Sequence, residues 1–486
     1  MSERQLPSTI DYSRMLPMSI PAIAKRHRYY ANNGADFNFA GARQIRIQVD
    51  SPNCLLDTAH GYIGFEAFNQ SGNALGLDTG GAHVFFERVA IEQGGRVLSE
   101  CREAHRLHSA ILGPCQLSSE GKATQGFTGF TRSYNSAVAT SNVPQVNGQT
   151  ADDYCLDNHN NNGTFAALTG HRFSMNVTSG LFNQDKLIPL PLIDQNQPIT
   201  IVLDMAIPGD YGAWNVAVAP ANGIVIRNIS YIAQLIEVGR DVVDQFRGVQ
   251  DAMGGQLVLS GQDWDYSTEV VTANSPGELN LRLPVRKRSI KSMFWVAQSN
   301  VYPAATTQSQ AYNLSYCGSM NIINWGLKFG SVVFPSTRIR SWGNAGGPQP
   351  EFERGECIME LAKAFGTLGW QNPTGTLNTV TYGTQQAAGG QLGNGDNGVG
   401  LAVVCPLSDD PLMLCPFGVS TEAYARSITE SGVDTETLSQ ESLLQLQIDP
   451  LAGPIFSGNE DKIVHMWVLY DQHYYINRDG LISFSN

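Results

Sequence analysis

Apolar and polar side chains alternate with a period of two along much of this chain. That period predicts strands, because successive side chains of a strand point to opposite faces. The strongest case is the segment 462–477, where both parities are apolar. Its apolar positions include Ile463, Val464, Met466, Trp467, Val468, Leu469 and Tyr470. A strand of this kind is covered on both faces, so we expect it to lie deep in a sheet.

The residues that follow predict a hairpin at the end of the sequence. In Asn477-Arg478-Asp479-Gly480, the Asn suits the first turn position and the Gly can adopt the positive φ of a bulged turn. The segment 481–485 then returns as a second strand. We expect this C-terminal hairpin to be required for folding.

The first half of the chain reads as strands interrupted by one helix and one long loop. Strands are predicted at 44–49, 62–68, 83–95, 172–177, 187–193, 199–206 and 223–238. A short helix is predicted over 96–112, and a Ser/Thr/Asn/Gly-rich surface loop over 113–170.

The second half repeats this plan in about equal length. Strands are predicted at 256–271, 278–285, 290–299, 324–335, 402–407, 442–448 and in the C-terminal hairpin. A helix over 352–369 and a Gly/Asn/Gln loop over 371–400 lie between them. The sequence therefore predicts an all-β chain with two related sandwiches in tandem. Its predicted parts are an N-terminal arm (1–40), a first sandwich (41–240), a linker (241–255) and a second sandwich (256–486).

Composition supports a turn-rich protein with protein partners. The 486 residues include 49 Gly and 23 Pro but only 15% charged residues, which indicates many turns and few surface helices. The formal net charge of −13 argues against a surface that binds nucleic acid or anionic membrane as a whole. No apolar run predicts a membrane span or a signal peptide, so the sequons at Asn162, Asn176, Asn228 and Asn313 are expected to be unused. The eight cysteines lack a Cys-x-x-Cys and are expected to be buried thiols.

A zinc site is the first candidate for chemistry. Cys101, His105, His108 and Cys115 place four zinc-type ligands within fifteen residues. Cys115 falls beyond Pro114, outside the predicted helix, so buried helix and loop residues are the favoured interpretation and no metal is predicted. His159 and His171 lack matching partners.

Other sequence motifs match a known pattern in residue type but lack the structural context that the pattern requires. The segment 393–398 spells Gly-x-Gly-x-x-Gly inside a loop, and 157–163 resembles a calcium loop without its glycine or its closing acid. The pair Asp263 and Asp265 shares one strand face, as in a glycosidase, but acidic neighbours on a sheet edge are common. We therefore predict no catalytic residue, no cofactor and no enzyme activity.

Positive charge is densest at Lys25-Arg26-His27-Arg28, followed by Tyr29 and Tyr30. Cations and stacking aromatics would suit a nucleic-acid arm. Given the acidic chain, the favoured interpretation is an N-terminal arm that docks on a neighbouring subunit.

The order of these segments resembles the double jelly-roll major capsid proteins of the adenovirus-like double-stranded DNA viruses, especially Polinton-like viruses, adintoviruses and virophages. The resemblance spans nearly the whole chain and is carried by the following segments: Ile20-Pro21 leading to IRIQVD, LLDTAHGYIGFEAF, LDTGGAHVFFERVAIEQGGRVLSE, LRLPVRKRSIKSMFWVAQ, LKFGSVVFP and YDQHYYINRDGLISF.

This resemblance implies two eight-stranded jelly rolls with short helices in long loops, and three chains forming a pseudo-hexameric capsomer of an icosahedral virion. It further implies neighbouring capsomers, penton and minor capsid proteins as partners, no specific nucleic-acid binding, and no catalytic residue. Whether a membrane lies beneath the shell is left open. The long loops 113–170 and 371–400 are expected to lie in trimer interfaces.

A β-sandwich lectin or carbohydrate-active enzyme is the alternative. Exposed Trp264, Trp342 or Trp370 would then stack on sugars.

Overall fold

A computed structural model describes the chain at residues 22–73, 75–77, 80–113, 167–182, 184, 186–214, 220, 222–272, 277–299, 314, 317, 322–341, 351–366, 416–423, 431–438, 441–448 and 461–485. The predicted long loops 113–170 and 371–400 and the predicted strand 402–407 lie largely or wholly outside these residues.

In the described part of the first half, two antiparallel sheets form a sandwich. The strands of this half are β1 (Ala22–Tyr30), β2 (Asp36–Phe37), β3 (Gln44–Val49), β4 (Cys54–Asn69), β5 (Leu75–Leu77), β6 (Phe86–Gln93), β7 (Arg96–Arg102), β8 (Gly170–Met175), β9 (Ile188–Pro189), β10 (Ile199–Met205), β11 (Gly212–Trp214) and β12 (Ile224–Val238). One sheet runs β1-β12-β4-β8, with β2 and β9 beside this path, and the other runs β3-β10-β6-β7. Strands β5 and β11 form a separate pair.

The second half builds a second sandwich. Its strands are β13 (Gln256–Val271), β14 (Gly277–Leu283), β15 (Ile290–Ser299), β16 (Ile322–Phe329), β17 (Val332–Arg340), β18 (Phe417–Ser420), β19 (Ser442–Ile448), β20 (Lys462–Asn477) and β21 (Ile482–Ser485). One sheet runs β13-β20-β15-β18, with β21 on β20, and the other runs β14-β19-β16-β17.

The two sandwiches therefore have the same strand order. In each, the first strand of the half pairs with its last long strand, β1 with β12 and β13 with β20, and the remaining strands follow in equivalent places. Four strands in each sheet path give two tandem eight-stranded jelly rolls, as the sequence predicted.

Helices are short and connect the strands. They are α1 (Ala104–Leu107) with a π-helical turn (His108–Leu112), α2 (Arg240–Ala252), α3 (Glu351–Gly366) and 3₁₀ turns at Gly81–Phe85, Gly180–Phe182, Leu190–Leu192 and Pro208–Asp210. Among the described residues, no helix is long and apolar enough to cross a membrane.

The C-terminal hairpin is placed as predicted. Strand β20 lies between β13 and β15, and Trp467 and its apolar neighbours from Val464 to Leu469 are buried. Gly480 adopts a φ of +77° in the turn, and Ile476 pairs with Ile482 beyond it. The predicted buried thiols are found at Cys54, Cys101, Cys317 and Cys357 within the described residues.

The predicted helix over 96–112 is wrong in its first half. Gly94 and Gly95 both have positive φ, so the chain makes a tight hairpin and β7 returns along β6. Glu103 adopts a left-handed conformation, and the helix begins only at Ala104. Charged residues gave 96–102 a helical composition, but pairing with β6 satisfies their backbone groups.

The predicted arm, 1–40, also needs correction. Residues 22–30 are not an arm, because β1 pairs with β12 along its whole length, from Ala22 opposite Val238 to Tyr30 opposite Ser230. Residues 1–21 lie outside the described part of the chain.

The segment proposed as a linker, 241–255, connects β12 to β13 and is mostly helical. Helix α2 ends where Gly254 and Gly255 take φ values of +80° and +91°. Gln250 is buried, and its Nε2 donates to the carbonyl of Ile476 at 2.8 Å. The connection is therefore fixed to the second jelly roll at a strand end.

Candidate functional site

The two jelly rolls meet along the edges of two sheets. Strand β7 ends the sheet β3-β10-β6-β7, and β13 ends the sheet β13-β20-β15-β18. The two strands lie against each other without backbone pairing, together with the 3₁₀ turn Gly180–Phe182 and β21. We call this region the junction. It holds the chain's two sandwiches together mainly through side chains.

A buried carboxylate lies at the centre of the junction. Asp263 of β13 is 1% exposed. Its Oδ1 accepts hydrogen bonds from Ser99 Oγ of β7 at 3.0 Å, from the Gly180 amide at 3.2 Å and from the Trp264 amide at 2.9 Å. Its Oδ2 accepts one from Tyr474 Oη at 3.3 Å. Burial raises the pKa of Asp263 to about 6, against the opposing effect of these donors.

The C-terminal hairpin docks on the first jelly roll at one side of the junction. Gln93 Nε2 donates to the Gly480 carbonyl at 2.9 Å, and Gln93 Oε1 accepts from the Ile482 amide at 2.7 Å. The Asp194 amide also donates to the Gly480 carbonyl, at 3.1 Å. A Cβ at position 480 would lie 2.4 Å from that amide nitrogen, so only glycine fits this turn.

Further contacts tie the other side of the junction. The indole Nε1 of Trp467 donates to the Arg102 carbonyl at 3.2 Å, and Arg106 donates to the side-chain oxygen of Gln298. Trp467, Arg106 and Gln298 are buried, so separating the rolls would leave their polar groups without these partners. The junction therefore resists separation of the two rolls.

A cleft of about 230 Å³ opens on the junction. Asp263, Asp265, Lys287 and Tyr470 line it, and Lys287 Nζ lies 3.9 Å from Asp265 Oδ2 and 4.0 Å from the centre of the Tyr470 ring. Asp263 and Asp265 both line this cleft, in agreement with the prediction that they share one strand face. The cleft is smaller than the roughly 300–1,000 Å³ typical of ligand pockets, and Asp263 is already occupied by four donors. This arrangement favours a structural role for Asp263 over a role with Asp265 as a catalytic acid–base pair.

The described candidate zinc ligands do not converge. His105 Nε2 lies 3.5 Å from Asp210 Oδ2, whereas His108 stacks on His83 with ring centres 3.5 Å apart and bonds to Thr178 Oγ1 at 2.8 Å. Burial lowers the pKa of His83 to about 4 and also lowers that of His108, so the stacked rings are neutral near pH 7. Within the described residues no three metal-type side chains come together, and Cys115 lies outside them.

The remaining candidates are dispersed. His171 is buried in β8 against Phe173. His159, the two glycine and asparagine motifs at 157–163 and 393–398, and Trp342 and Trp370 lie outside the described residues. Trp264 is buried at 7% exposure, so it offers no face to a sugar, contrary to the lectin alternative.

The basic segment lies on an exposed sheet edge. Lys25 pairs with Glu237 of β12, and Arg26 donates to Tyr62 Oη at 2.5 Å. Tyr29 is buried and donates to the Asp50 carbonyl at 2.6 Å, while Tyr30 is 61% exposed. Two of its cations are thus engaged within the sheet, and one of the two tyrosines is unavailable for stacking on bases.

Sequence reasoning missed most of the junction. Ser99, Gln93 and Asp194 are ordinary polar residues in turns or on strands, and only the fold brings them to the other roll. A signal existed at Asp263, which lies in β13 directly before Trp264: an acidic residue inside a strand that must be covered requires donors.

No known protein-family profile matches the chain, and no curated protein matches it. Solved structures do match, over nearly the whole chain. PBCV-1 VP54, in a crystal structure fitted into a cryo-EM reconstruction of the virophage Sputnik, aligns with a TM-score of 0.56 at 10% identity, covering 98% of this chain and 99% of the other.

Two further structures agree. The cryo-EM structure of the Sputnik virophage aligns with a TM-score of 0.53 at 9% identity, covering 100% of this chain and 93% of the other. The Faustovirus major capsid protein aligns with a TM-score of 0.50 at 9% identity, covering 96% and 92%. At these identities the likeness concerns the fold, and it agrees with the strand order of both halves. The resemblance noted in the sequence is therefore confirmed at the level of the fold: the chain has the double jelly-roll fold of these viral major capsid proteins.

Proposed function

We propose that this chain is a major capsid protein of a double-stranded DNA virus and that three copies close into a pseudo-hexameric capsomer of an icosahedral shell. The observation that carries the proposal is a pair of exposed sheet edges among the described residues. Within the chain, β7 of the first roll meets β13 of the second. The equivalent strands are β17 in the second roll and β1 in the first, and in the described part of the chain no other roll lies against them.

The same contact can be repeated between chains. If β17 of one copy lies against β1 of the next as β7 lies against β13, each chain supplies two steps of a ring. Head-to-tail contacts of this kind close into rings when the rotation per step allows it. Six equivalent rolls then come from three identical chains, and every roll uses the same kind of edge.

Apolar exposure supports these edges as the contact. Ile23 of β1 is 62% exposed and Val332 of β17 is also 62% exposed. Tyr30 of β1, Val333 of β17 and Met359 of α3, the helix after β17, are exposed as well. Half of the ten exposed large apolar residues among the described ones thus lie on β1, β17 or α3, where water would be displaced by a neighbouring copy.

The edges are also protected from strand addition. β17 carries Pro335, which cannot donate a ladder hydrogen bond, and β1 carries Lys25, Arg26 and Arg28. Such edges resist continuous sheet formation with other chains while leaving side chains free to pack. The junction within the chain likewise uses side chains and not strand pairing.

The proposed role is geometric. The chain would reside in the virion, with neighbouring capsomers, penton proteins and minor capsid proteins as partners, and it would not act as an enzyme. A rigid block of two similar rolls provides the near-hexagonal outline that tiles a shell. The residues 1–21 that precede β1 remain the candidate for a shorter arm between capsomers.

Light scattering of purified protein and of a matched pair of variants tests this proposal. We expect trimers for the wild type and monomers for Val332→Lys, because a lysine would be buried in the β17–β1 contact. Val270→Lys is the control, since Val270 is a similarly exposed valine, at 54%, on β13 and away from β1 and β17. Wild-type monomers at all concentrations, or equal behaviour of the two variants, would contradict the proposal.

A further inference from the structure

A buried cluster in the second jelly roll combines an amine with two carboxylates. Lys291 Nζ lies 2.7 Å from Glu422 Oε1, 2.7 Å from Ser431 Oγ and 3.4 Å from Asp471 Oδ2. The side chains of Lys291, Glu422 and Asp471 are only 3%, 5% and 3% exposed.

The backbone holds these groups in place from three directions. The pairing of β15 with β20 shifts between Ile290 and Ser292, so Lys291 is the extra residue of a bulge, a feature that redirects a side chain. Asp471 follows on β20, and its amide donates to the Ser289 carbonyl at 3.0 Å.

The third direction is the loop after β18. The Thr421 amide donates to the Lys291 carbonyl at 2.9 Å, which places Glu422 beside the amine. A Cβ at Gly432 would lie 2.0 Å from the Ile290 carbonyl oxygen, so glycine allows this segment to press onto β15 and to bring Ser431 to the cluster. These contacts hold both carboxylates near one nitrogen.

Ionised groups gain little in such a site. The side chains of Lys291, Glu422 and Asp471 are almost fully buried, and buried ion pairs contribute little to stability after their desolvation. Condensation of the amine with one carboxylate would replace two buried charges by a neutral amide. The water that stabilises the ionised reactants in solution is largely excluded here, which favours the amide.

We propose that Lys291 and Asp471 form an intramolecular isopeptide bond, with Glu422 transferring the proton. The chain would thereby modify itself once, after folding, and would cross-link β15 to β20.

The reaction balances without any added reagent. Glu422 carries one proton from the Lys291 ammonium to Oδ1 of the Asp471 carboxylate, which leaves a neutral amine and a neutral carboxyl. Nζ then attacks Cγ, which forms the C–N bond and places negative charge on Oδ2 of the tetrahedral intermediate. Glu422 takes a second proton from the positively charged Nζ and delivers it to the leaving hydroxyl at Oδ1. The Cγ–Oδ1 bond breaks, one water leaves, and Oδ2 becomes the amide carbonyl. Fixed proximity of the two groups replaces the activation that a free carboxylate would need.

Ser289 completes the site. Its Oγ donates to Asp471 Oδ2 at 2.8 Å and accepts from the Gly432 amide at 3.1 Å. A donor aimed at the oxygen that gains charge stabilises the intermediate. We therefore expect Ser289→Ala to slow the condensation while leaving its product unchanged.

The bond would close a very long loop of chain. It would join β15 to the central strand β20, and cross-links that close long loops restrict the unfolded chain most in the entropy account of such bonds. The second jelly roll would then retain a covalent connection even when its sheet is transiently opened.

Mass spectrometry of the denatured wild-type chain is the test. We expect a mass lower than that of the sequence by one water, and a branched proteolytic peptide that contains Lys291 and Asp471. Glu422→Gln keeps an acceptor for Lys291 and Ser431 but cannot take the proton, so it should show the full mass. Asp265→Asn, which alters the other lysine–aspartate pair near β20, should retain the water loss.

A wild-type chain with the full sequence mass after prolonged incubation would overturn the proposal, whatever the variants do. Water loss in Glu422→Gln would refute the role of Glu422. Since the measurement uses unfolded chains, its result is independent of whether trimers form.

Discussion

The two jelly rolls have one strand order, yet their equivalent outer strands differ in cover. In β7, Leu98, Ser99 and Cys101 are buried, whereas in the equivalent β17 Ile339 is the one buried residue. The same holds for the pair β13 and β1: β13 is buried at several positions, and β1 only at Tyr29. The covered members of both pairs form the junction, and the uncovered members are the ones we assign to the next subunit. Part of the cover on β7 and β13 therefore comes from the neighbouring roll, as at Ser99 and Asp263.

Removing residues 462–486 should have the largest effect on stability, because β20 belongs to the core of the second roll and also contributes to the junction. The deletion removes several side chains that are each worth roughly 1.5–3 kcal/mol of burial, against a typical net stability of about 5–15 kcal/mol. It also exposes the edges of β13 and β15. We expect an insoluble chain in a sedimentation assay. A soluble product with an unchanged melting temperature would show that the hairpin is peripheral.

Gly480→Ala should separate the role of the hairpin turn from its docking on the first roll. Both Gly480 and Gly330 have positive φ in hairpin turns, so alanine at either costs strain of about 1 kcal/mol or more. Only at Gly480 would the new Cβ meet backbone of the other roll, whereas at Gly330 its nearest neighbour is a Leu438 side-chain carbon at 3.4 Å.

In chemical denaturation we therefore expect the Gly480 variant to lose about 1–3 kcal/mol more than the Gly330 variant, the usual cost of overpacking. Equal losses would mean that the turn does not press on the first roll.

Asp263→Asn should remove a pH dependence of the free energy of unfolding that arises at the junction. The pKa of Asp263 is raised from 3.8 to about 6 in the folded chain, so the folded state holds this proton more tightly than the unfolded state does. Its stabilising contribution is full below about pH 4 and is lost as the pH rises through about 6. Across this pH range the contribution of Asp263 to the free energy of unfolding falls by about 3 kcal/mol.

The asparagine keeps Oδ1 for its three donors and offers Nδ2 to Tyr474 Oη, so the variant should melt higher than wild type at pH 8 and should lack this slope. Asp265→Asn is the control. Asp265 is partly exposed, so this variant should change neither the melting temperature at pH 8 nor the pH slope of the stability. A wild-type free energy of unfolding that rises between pH 4 and pH 7 while the Asp263 variant stays flat would contradict this assignment.

Much of the fold followed from the sequence because period and turn chemistry are local. The two apolar parities of β20 and the glycine at 480 predicted a central strand and its hairpin. The error at 96–102 arose because charged residues of helical composition lie on a strand whose pairing is fixed by Gly94 and Gly95. The strand at 22–30 was missed because its exposed residues lack alternation, and pairing with β12 alone holds it.

The junction and the amine cluster were less accessible, because both depend on residues far apart in sequence. Gln93 and Gly480 meet only after two sandwiches have formed. Lys291 and Asp471 gave a faint signal, since each is a charged residue within an apolar strand and must find a partner when buried. Nothing local indicated that they would face each other.

The central claim is that β17 of one copy lies against β1 of the next as β7 lies against β13 within the chain. A cryo-EM map of the purified protein tests it most directly. We expect a ring of three chains with six similar lobes, in which Val332 and Ile23 of neighbouring copies are covered at the contact between chains. A ring that leaves β1 and β17 exposed to solvent, or particles that contain a single chain, would contradict it.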